Sequence, residues 1–287
     1  MNLDKFKITD INKFNFKAFD PDAQTLSMDK QAVLENGKIN IKKMKLLQDR
    51  FYAEGKESVL IVLQAMDAAG KDGAIKHVMT GVNPQGVEVS NFKKPTDIEN
   101  AHDYLWRCVK ALPPKGKIGI FNRSYYEDVL VTRVHSLYKN QNLPERCKTD
   151  DIFEKRYNQI KNFEEYLWEN GTRIIKFFFY ISKDEQKKRF MKRITDKNKN
   201  WKLSDSDVAE RKYWDEYMEA YELAINSTAT QYAPWYVIPS NKKWFARYLV
   251  SEAIIKTLED INPKYPKVGK EKEKMILKCK DILKNEK

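Results

Sequence analysis

The chain is poor in the residues that tie small proteins together. Among 287 residues, the cysteines are Cys108, Cys147 and Cys279, odd in number and isolated, which fits neither a disulfide framework nor a zinc site. His77, His102 and His135 are equally scattered and read as structural, against a metal cluster or a histidine phosphoenzyme. No Gly-x-Ser-x-Gly elbow occurs, so nucleophilic hydrolase chemistry lacks its turn. No uninterrupted apolar run is long enough to cross a bilayer, and Met1-Asn2-Leu3-Asp4-Lys5 begins no signal-peptide core. A cytoplasmic protein with no membrane partner is expected.

What the chain does have is positive charge. Lys and Arg number 53 against 41 Asp and Glu, a formal charge of +12 with a pI near 9.3, so a polyanion is the natural partner. Charge alone would put nucleic acid first. Yet there is no zinc-finger spacing, no aromatic RNP-type motif and no heptad array behind a basic region. With 41% hydrophobic residues the chain can bury one substantial core, and nothing marks a boundary between two.

Val59 to Leu63 reads as an interior parallel strand, and Ala74, Ile75, Val78 and Met79 give the segment after it an apolar helical face. Between them lies Ala65-Met66-Asp67-Ala68-Ala69-Gly70-Lys71-Asp72-Gly73. Small side chains there let backbone N–H groups curl around an anion, the helix start adds partial positive charge, and Lys71 adds a full one. The phosphate-loop consensus is met in part, with Ala65 at its first glycine and Asp72 where a magnesium-binding hydroxyl is expected. The plain alternative is a strand, a turn and a helix with an exposed lysine at its start.

A second short strand, Lys117 to Phe121, ends in Asn122-Arg123-Ser124-Tyr125-Tyr126-Glu127-Asp128. Ligands bind beyond the carboxyl ends of parallel strands, which puts Arg123 where it can fork onto phosphate and Asp128 where it can hold magnesium. Taken alone, the segment reads first as a solvated loop and an ordinary helix start, since Asp and Glu favour first turns.

Elsewhere, helical spacing covers Ile41 to Ala53, and the N-terminal arm of residues 1–40 is expected to pack outside the sheet. Val87 to Phe92 reads as a strand, and Thr96-Asp97-Ile98-Glu99 as a capping box opening a helix to about Lys110. Further helices are expected from Asp150 or Asp151 toward Trp168, from Asp207 to about Asn226 and from Asn241 to about Leu258. Arg173 to Ile181 and Trp235 to Ile238 read as strands. The box Ser182 to Glu185 introduces a strongly basic helix in which Arg189 and Arg193, at i and i+4, share a face and can close over phosphate. A solvated charged helix is the default reading of such a run. Residues 259–287 form a basic extension, with Met275, Ile276, Cys279, Ile282 and Leu283 spaced for an amphipathic helix.

Four blocks in order, Gln64 to Gly73, Phe92-Lys93-Lys94-Pro95-Thr96, Ala101 to Arg107 and Phe121 to Val129, resemble the polyphosphate kinase 2 family, over about Ile39 to Leu258. In that family the departures from the general loop motif are usual. The resemblance implies an α/β, P-loop kinase-like three-layer sandwich (Walker A type), mainly parallel, forming one domain over residues 1–258 with a helical lid at about 183–205. It implies Mg2+, self-association, and phosphoryl transfer from inorganic polyphosphate to AMP and ADP, forming ADP and ATP, with Glu127-Asp128 pointing to the subclass that accepts both nucleotides. It assigns Asp67, Lys71, Arg123 and Asp128 to catalysis, and Asp67 and Asp128 to the metal. Phosphate falls to Ala68, Ala69, Gly70, Lys71, Asp72, Gly73, Arg123, Arg189 and Arg193, and nucleotide to Phe92, Lys93, Pro95 and Glu127. Two other readings of the residues are an ATP-driven nucleoside monophosphate kinase and a non-catalytic nucleic-acid-binding protein; with polyphosphate as the polyanion, no nucleic-acid partner is expected.

Overall fold

A computed structural model describes residues 2–11, 14–24 and 29–286. Its strands are β1 (Lys7–Ile8), β2 (Ser58–Ala65), β3 (Val87–Asn91), β4 (Ile118–Asn122), β5 (Thr172–Tyr180) and β6 (Trp235–Pro239), and they form one sheet in the order β1-β6-β5-β2-β4-β3. Every neighbouring pair is parallel except β1 with β6. The helices are α1 (Lys30–Glu54), α2 (Lys71–Val78), α3 (Asp97–Asn100), α4 (Trp106–Val109), α5 (Val131–Val134), α6 (Ile152–Glu169), α7 (Lys183–Thr195), α8 (Asp205–Ala209), α9 (Trp214–Thr228), α10 (Lys243–Ile261) and α11 (Lys270–Asn285). α1, α2 and α10 pack together on one side of the sheet, and α5, α6 and α9 on the other, giving three layers.

The central strands are the ones whose sequences lack polar alternation. β2 and β5 bury nearly every residue because helices cover both faces, and a continuous apolar run is the form such a strand takes. One charge interrupts β5. Lys176 is fully buried, and its ammonium meets the equally buried Glu164 carboxylate of α6 at 2.5 Å. The hydroxyls of Tyr125 and Tyr126 donate to the same glutamate at 2.9 and 3.0 Å. Burial pushes the Glu164 carboxyl up and the Lys176 ammonium down, each drawn back by the other. The pair therefore ties β5 and α6 to the segment that directly follows Arg123.

Three local expectations change. The N-terminal arm does not stay outside the sheet, because Lys7 and Ile8 pair with Tyr236 and Trp235 as an antiparallel edge strand. The Thr96–Glu99 box forms, but its helix ends at Ala101, and the Asp103 carboxylate accepts from the Leu105 N–H at 2.9 Å to start a second one. The helix expected from Asp207 is divided into α8, a 3-10 turn at Glu210–Tyr213, and α9. At the C-terminus the amphipathic helix does form, as α11, with Met275, Ile276, Ile282 and Leu283 exposed. Among the described residues, no helix is long and apolar enough to cross a membrane.

Candidate active site

The carboxyl ends of β2 and β4 lie side by side, with Leu63 opposite Asn122. The Arg123 N–H donates to the Leu63 carbonyl at 3.1 Å, so the ladder runs into the loop on the β4 side. On the β2 side the chain turns through Ala68 (φ +61°) and Gly70 (φ +102°) into α2, and Arg123 is itself left-handed at φ +61°. Two non-glycine residues held in that region, at adjacent strand tips, mark a backbone that the surrounding contacts over-determine. Across the gap Asn122 donates to the Asp72 carboxylate at 2.9 Å, and the Arg123 guanidinium stands 3.6 Å from the Asp67 carboxylate.

Helix α7 shapes the loop. Gln186 donates to the Asp67 carbonyl at 2.9 Å, and one guanidinium nitrogen of Arg189 donates to the carbonyls of Ala68 and Ala69 at 3.0 and 2.7 Å. In a trans peptide the C=O and N–H point opposite ways, so three captured carbonyls turn the following N–H groups away from α7. The Ala69 N–H closes a turn onto Met66, which leaves those of Ala68 and Gly70 directed away from the clamp. The first intrahelical bond of α2 runs from the Ala74 N–H to the Gly70 carbonyl at 3.0 Å. The N–H groups of Lys71, Asp72 and Gly73 thus lack helical partners and, with Lys71, form an anion-binding end.

Around this loop lies a cavity of about 620 Å³, lined by Asp67 to Ala74, by Asn91 to Lys94, by Asn122 and Arg123, and by residues of α7, α10 and the α7–α8 connection. Lysines and arginines come from every wall, and only Asp67, Asp72 and Asp207 oppose them. Burial lowers the pKa of Lys243, and the charges of Arg189, Lys192 and Arg247 lower it further, the signature of a cation cluster waiting for an anion. Burial also works against the Arg123 charge, but Glu127 and Asp67 outweigh it and hold the guanidinium above its ordinary value.

Asp67, Ala68, Ala69, Gly70, Lys71, Asp72, Gly73, Phe92, Lys93, Arg123, Arg189 and Arg193 all line this cavity, as the spacing of the loops leads one to expect. Four expected residues are used differently. Asp128 turns away: its buried carboxylate accepts from Gln141 at 3.0 Å and stands 3.7 Å from the Arg156 guanidinium, whose partner nitrogen is held by Gln141. Asp128 is thus paired inside the protein and is not on the cavity wall. Arg189 lines the wall but is spent, since its remaining donors go to the Glu185 carboxylate at 2.9 Å and to the carbonyls of Ser240 and Asn241 at 2.6 and 3.0 Å. All of the N–H capacity of its fork is thus directed to protein oxygens. Pro95 is not on the cavity wall. Phe92 is buried, packing edge-on against Phe121 at 4.9 Å under the Arg107 guanidinium.

Glu127 is half-buried beside Asp67, Lys71 and Arg123. With the Gln64 amide turned so that both its ends are satisfied, Gln64 donates to the Glu127 carboxylate at 2.9 Å. Burial raises the Glu127 pKa, while Arg123 and Lys71 pull it down. Arg193 keeps donors in reserve, with one nitrogen bonded to the Lys202 carbonyl at 3.0 Å and 3.5 Å from Asp207.

Several lining residues have no motif to announce them. Lys243 and Arg247 on α10 are reached only because β6 is parallel and ends at the same rim, and Gln186 is an ordinary polar residue on a charged helix. The one available signal was the position of Lys243 just beyond a strand end. Asn122 belongs to a block already singled out, yet its side-chain oxygen, buried without a hydrogen-bond partner, is visible only in three dimensions.

Comparison with known proteins gives one answer. The family model described as Polyphosphate kinase 2 matches residues 27–266. The AMP/ADP-polyphosphate phosphotransferase of Meiothermus ruber is 46% identical over 276 residues, covering 96% of this chain and all of that protein. The ADP-polyphosphate phosphotransferase of Rhodopseudomonas palustris is also 46% identical, over 85% of each chain. The crystal structure of polyphosphate kinase 2 from Arthrobacter aurescens superposes with a TM-score of 0.84 at 40% identity, covering 93% of both chains. With the fold, the loop and the cation-lined cavity already in register, this chain belongs to the polyphosphate kinase 2 family.

Proposed function

We propose that the protein transfers the terminal phosphoryl group of inorganic polyphosphate to AMP and to ADP, forming ADP and ATP. The observation that carries the proposal is that Lys71, Arg123 and Asp67, from two separate loops, meet in one cavity whose other walls are rich in lysine and arginine. That cavity is shaped for chains of phosphate. The relatives from Meiothermus ruber and Rhodopseudomonas palustris, named for polyphosphate with AMP and ADP or with ADP, support both donor and acceptor.

The acceptor phosphate already carries a nucleophilic oxygen, so no strong general base is required, and catalysis comes from alignment and charge neutralisation. Lys71 and the free N–H groups at the start of α2 bind the phosphoryl group in flight. Arg123, held in its left-handed turn and balanced by Asp67 and Glu127, binds the oxygens between donor and acceptor. Arg193 and Lys192 of α7 hold the rest of the donor chain and exclude water from it. For magnesium the donor set fits: Asp67 is a carboxylate on the cavity wall, Glu127 lies behind the wall beside Arg123 and Lys71, and the Asn122 side-chain oxygen is a buried acceptor without a partner. Magnesium commonly completes its octahedral shell with substrate phosphates and water around one or two carboxylates. Bound there, magnesium would neutralise charge on the transferring phosphates.

The test supplies AMP, magnesium and polyphosphate without ATP and looks for ADP and then ATP. Absence of both, with activity restored by ATP as donor, would replace this reading with an ATP-driven nucleoside monophosphate kinase. A DNA or RNA shift that survives Lys71→Ala, without any nucleotide product, would leave only a binding protein.

A further inference from the structure

Among the described residues, Trp201 is the one large aromatic that the cavity leaves open. It sits in the 3-10 turn Asn200–Lys202 between α7 and α8, lines the cavity, and is 78% exposed. Phe92, the other aromatic on the wall, is only 9% exposed and packed against Phe121. An indole in water is normally either buried or loose, and this one is neither. Its ring N–H donates to the Asn198 carbonyl at 3.1 Å, and the Asn198 N–H is tied to Asp196 at 3.1 Å. The Asn200 amide next to it caps α7 by donating to the carbonyls of Arg193 and Ile194 at 2.7 and 2.8 Å. The Lys202 ammonium lies 4.8 Å from the ring centroid, which occupies one face of the indole and leaves the other. A fixed, apolar, planar surface thus stands in a cavity otherwise dressed for phosphate.

We infer that Trp201 is the platform on which the nucleobase of the acceptor stacks, an inference that rests on the polyphosphate and nucleotide reading above. Lysines and arginines supply what the phosphates need but nothing for a base, and of the lining residues only Trp201 offers an open aromatic face. Stacking reads the area of a base and not its hydrogen-bonding edge, so purines bind better than pyrimidines and adenine and guanine are weakly distinguished.

The experiment compares the full-length chain with Trp201→Ala and Trp201→Phe. Trp201→Ala is expected to raise the KM for AMP by about ten-fold or more while the KM for polyphosphate stays within about two-fold, and Trp201→Phe is expected to recover most of the loss. Because five other tryptophans contribute fluorescence, the second readout is the AMP-dependent quenching present in the parent chain and absent in Trp201→Phe, with tripolyphosphate alone giving none. An unchanged AMP KM in Trp201→Ala, a rise in the polyphosphate KM in its place, or quenching that persists in Trp201→Phe would each overturn the assignment. The fluorescence titration does not depend on turnover. A chain that makes no ADP from AMP and polyphosphate, yet shows Trp201-dependent quenching by AMP, would sink the proposed donor and leave the base platform standing.

Discussion

The guanidinium of Arg189 holds the carbonyl of Ala69 at 2.7 Å, and through it helix α7 sets the shape of the loop between β2 and α2. The same side chain reaches Ser240 and Asn241 beyond β6, so the loop, α7 and the last parallel strand meet at one planar group. An arginine so placed fixes the carbonyls of the loop and so governs where its N–H groups point.

Arg189→Lys keeps the charge and loses the fork. A single ammonium cannot span carbonyls on two sides of the helix, so turnover is expected to fall by about 10²-fold, as for other displacements of about 1 Å in a catalytic frame. The fall should appear in kcat with AMP and with ADP alike. A variant that lost only affinity for polyphosphate would show that Arg189 contacts the donor after all.

Lys176→Met leaves Glu164 buried without its cation. Such a break costs about 3–5 kcal/mol, read here as a drop in Tm of roughly 5–10 °C, whereas replacing both partners in Lys176→Met/Glu164→Leu is expected to recover most of it. Equal losses in the single and double variants would mean that the tyrosine hydroxyls, and not the charge pair, carry the network.

Asp67→Asn and Asp128→Asn are expected to separate. Asp67 faces the cavity and Arg123, so its variant should fold normally and lose about 10²-fold or more in kcat. Asp128 faces Arg156, so its variant should lose about 2–4 kcal/mol of stability, a larger effect than its effect on turnover. Thermal melts run beside magnesium-dependent assays decide between them. An Asp128→Asn chain with an unchanged Tm and collapsed activity would return that carboxylate to the metal.

The thiols report on the fold directly. Cys108 is fully buried on α4, and burial pushes its pKa up to about 12, whereas Cys279 is exposed on α11 and Cys147 is intermediate. At pH 8 Ellman's reagent should therefore titrate Cys279 first and Cys147 more slowly, reaching Cys108 only on unfolding. Rapid reaction of all three in the native chain would contradict the packing of α4.

Much of the site could be read from the letters because its chemistry is local. Val59 to Leu63, the small residues after it and Lys71 are contiguous, and backbone geometry turns such a run into a strand, an anion-binding turn and a helix start. Arg123 followed in the same way from the apolar strand before it. The helix face shared by Arg189 and Arg193 was also legible, since i and i+4 spacing fixes which side chains stand together.

What that face would meet was not legible. The donors of Arg189 are consumed by carbonyls about 120 and 50 residues away in sequence, Asp128 is claimed by Arg156 from another helix, and Lys7 and Ile8 are claimed by the open edge of β6. Spacing along a chain fixes local geometry and the presence of a charge. Whether a charge is still free to act depends on which distant oxygens arrive beside it, and only the folded packing of strands and helices brings them there.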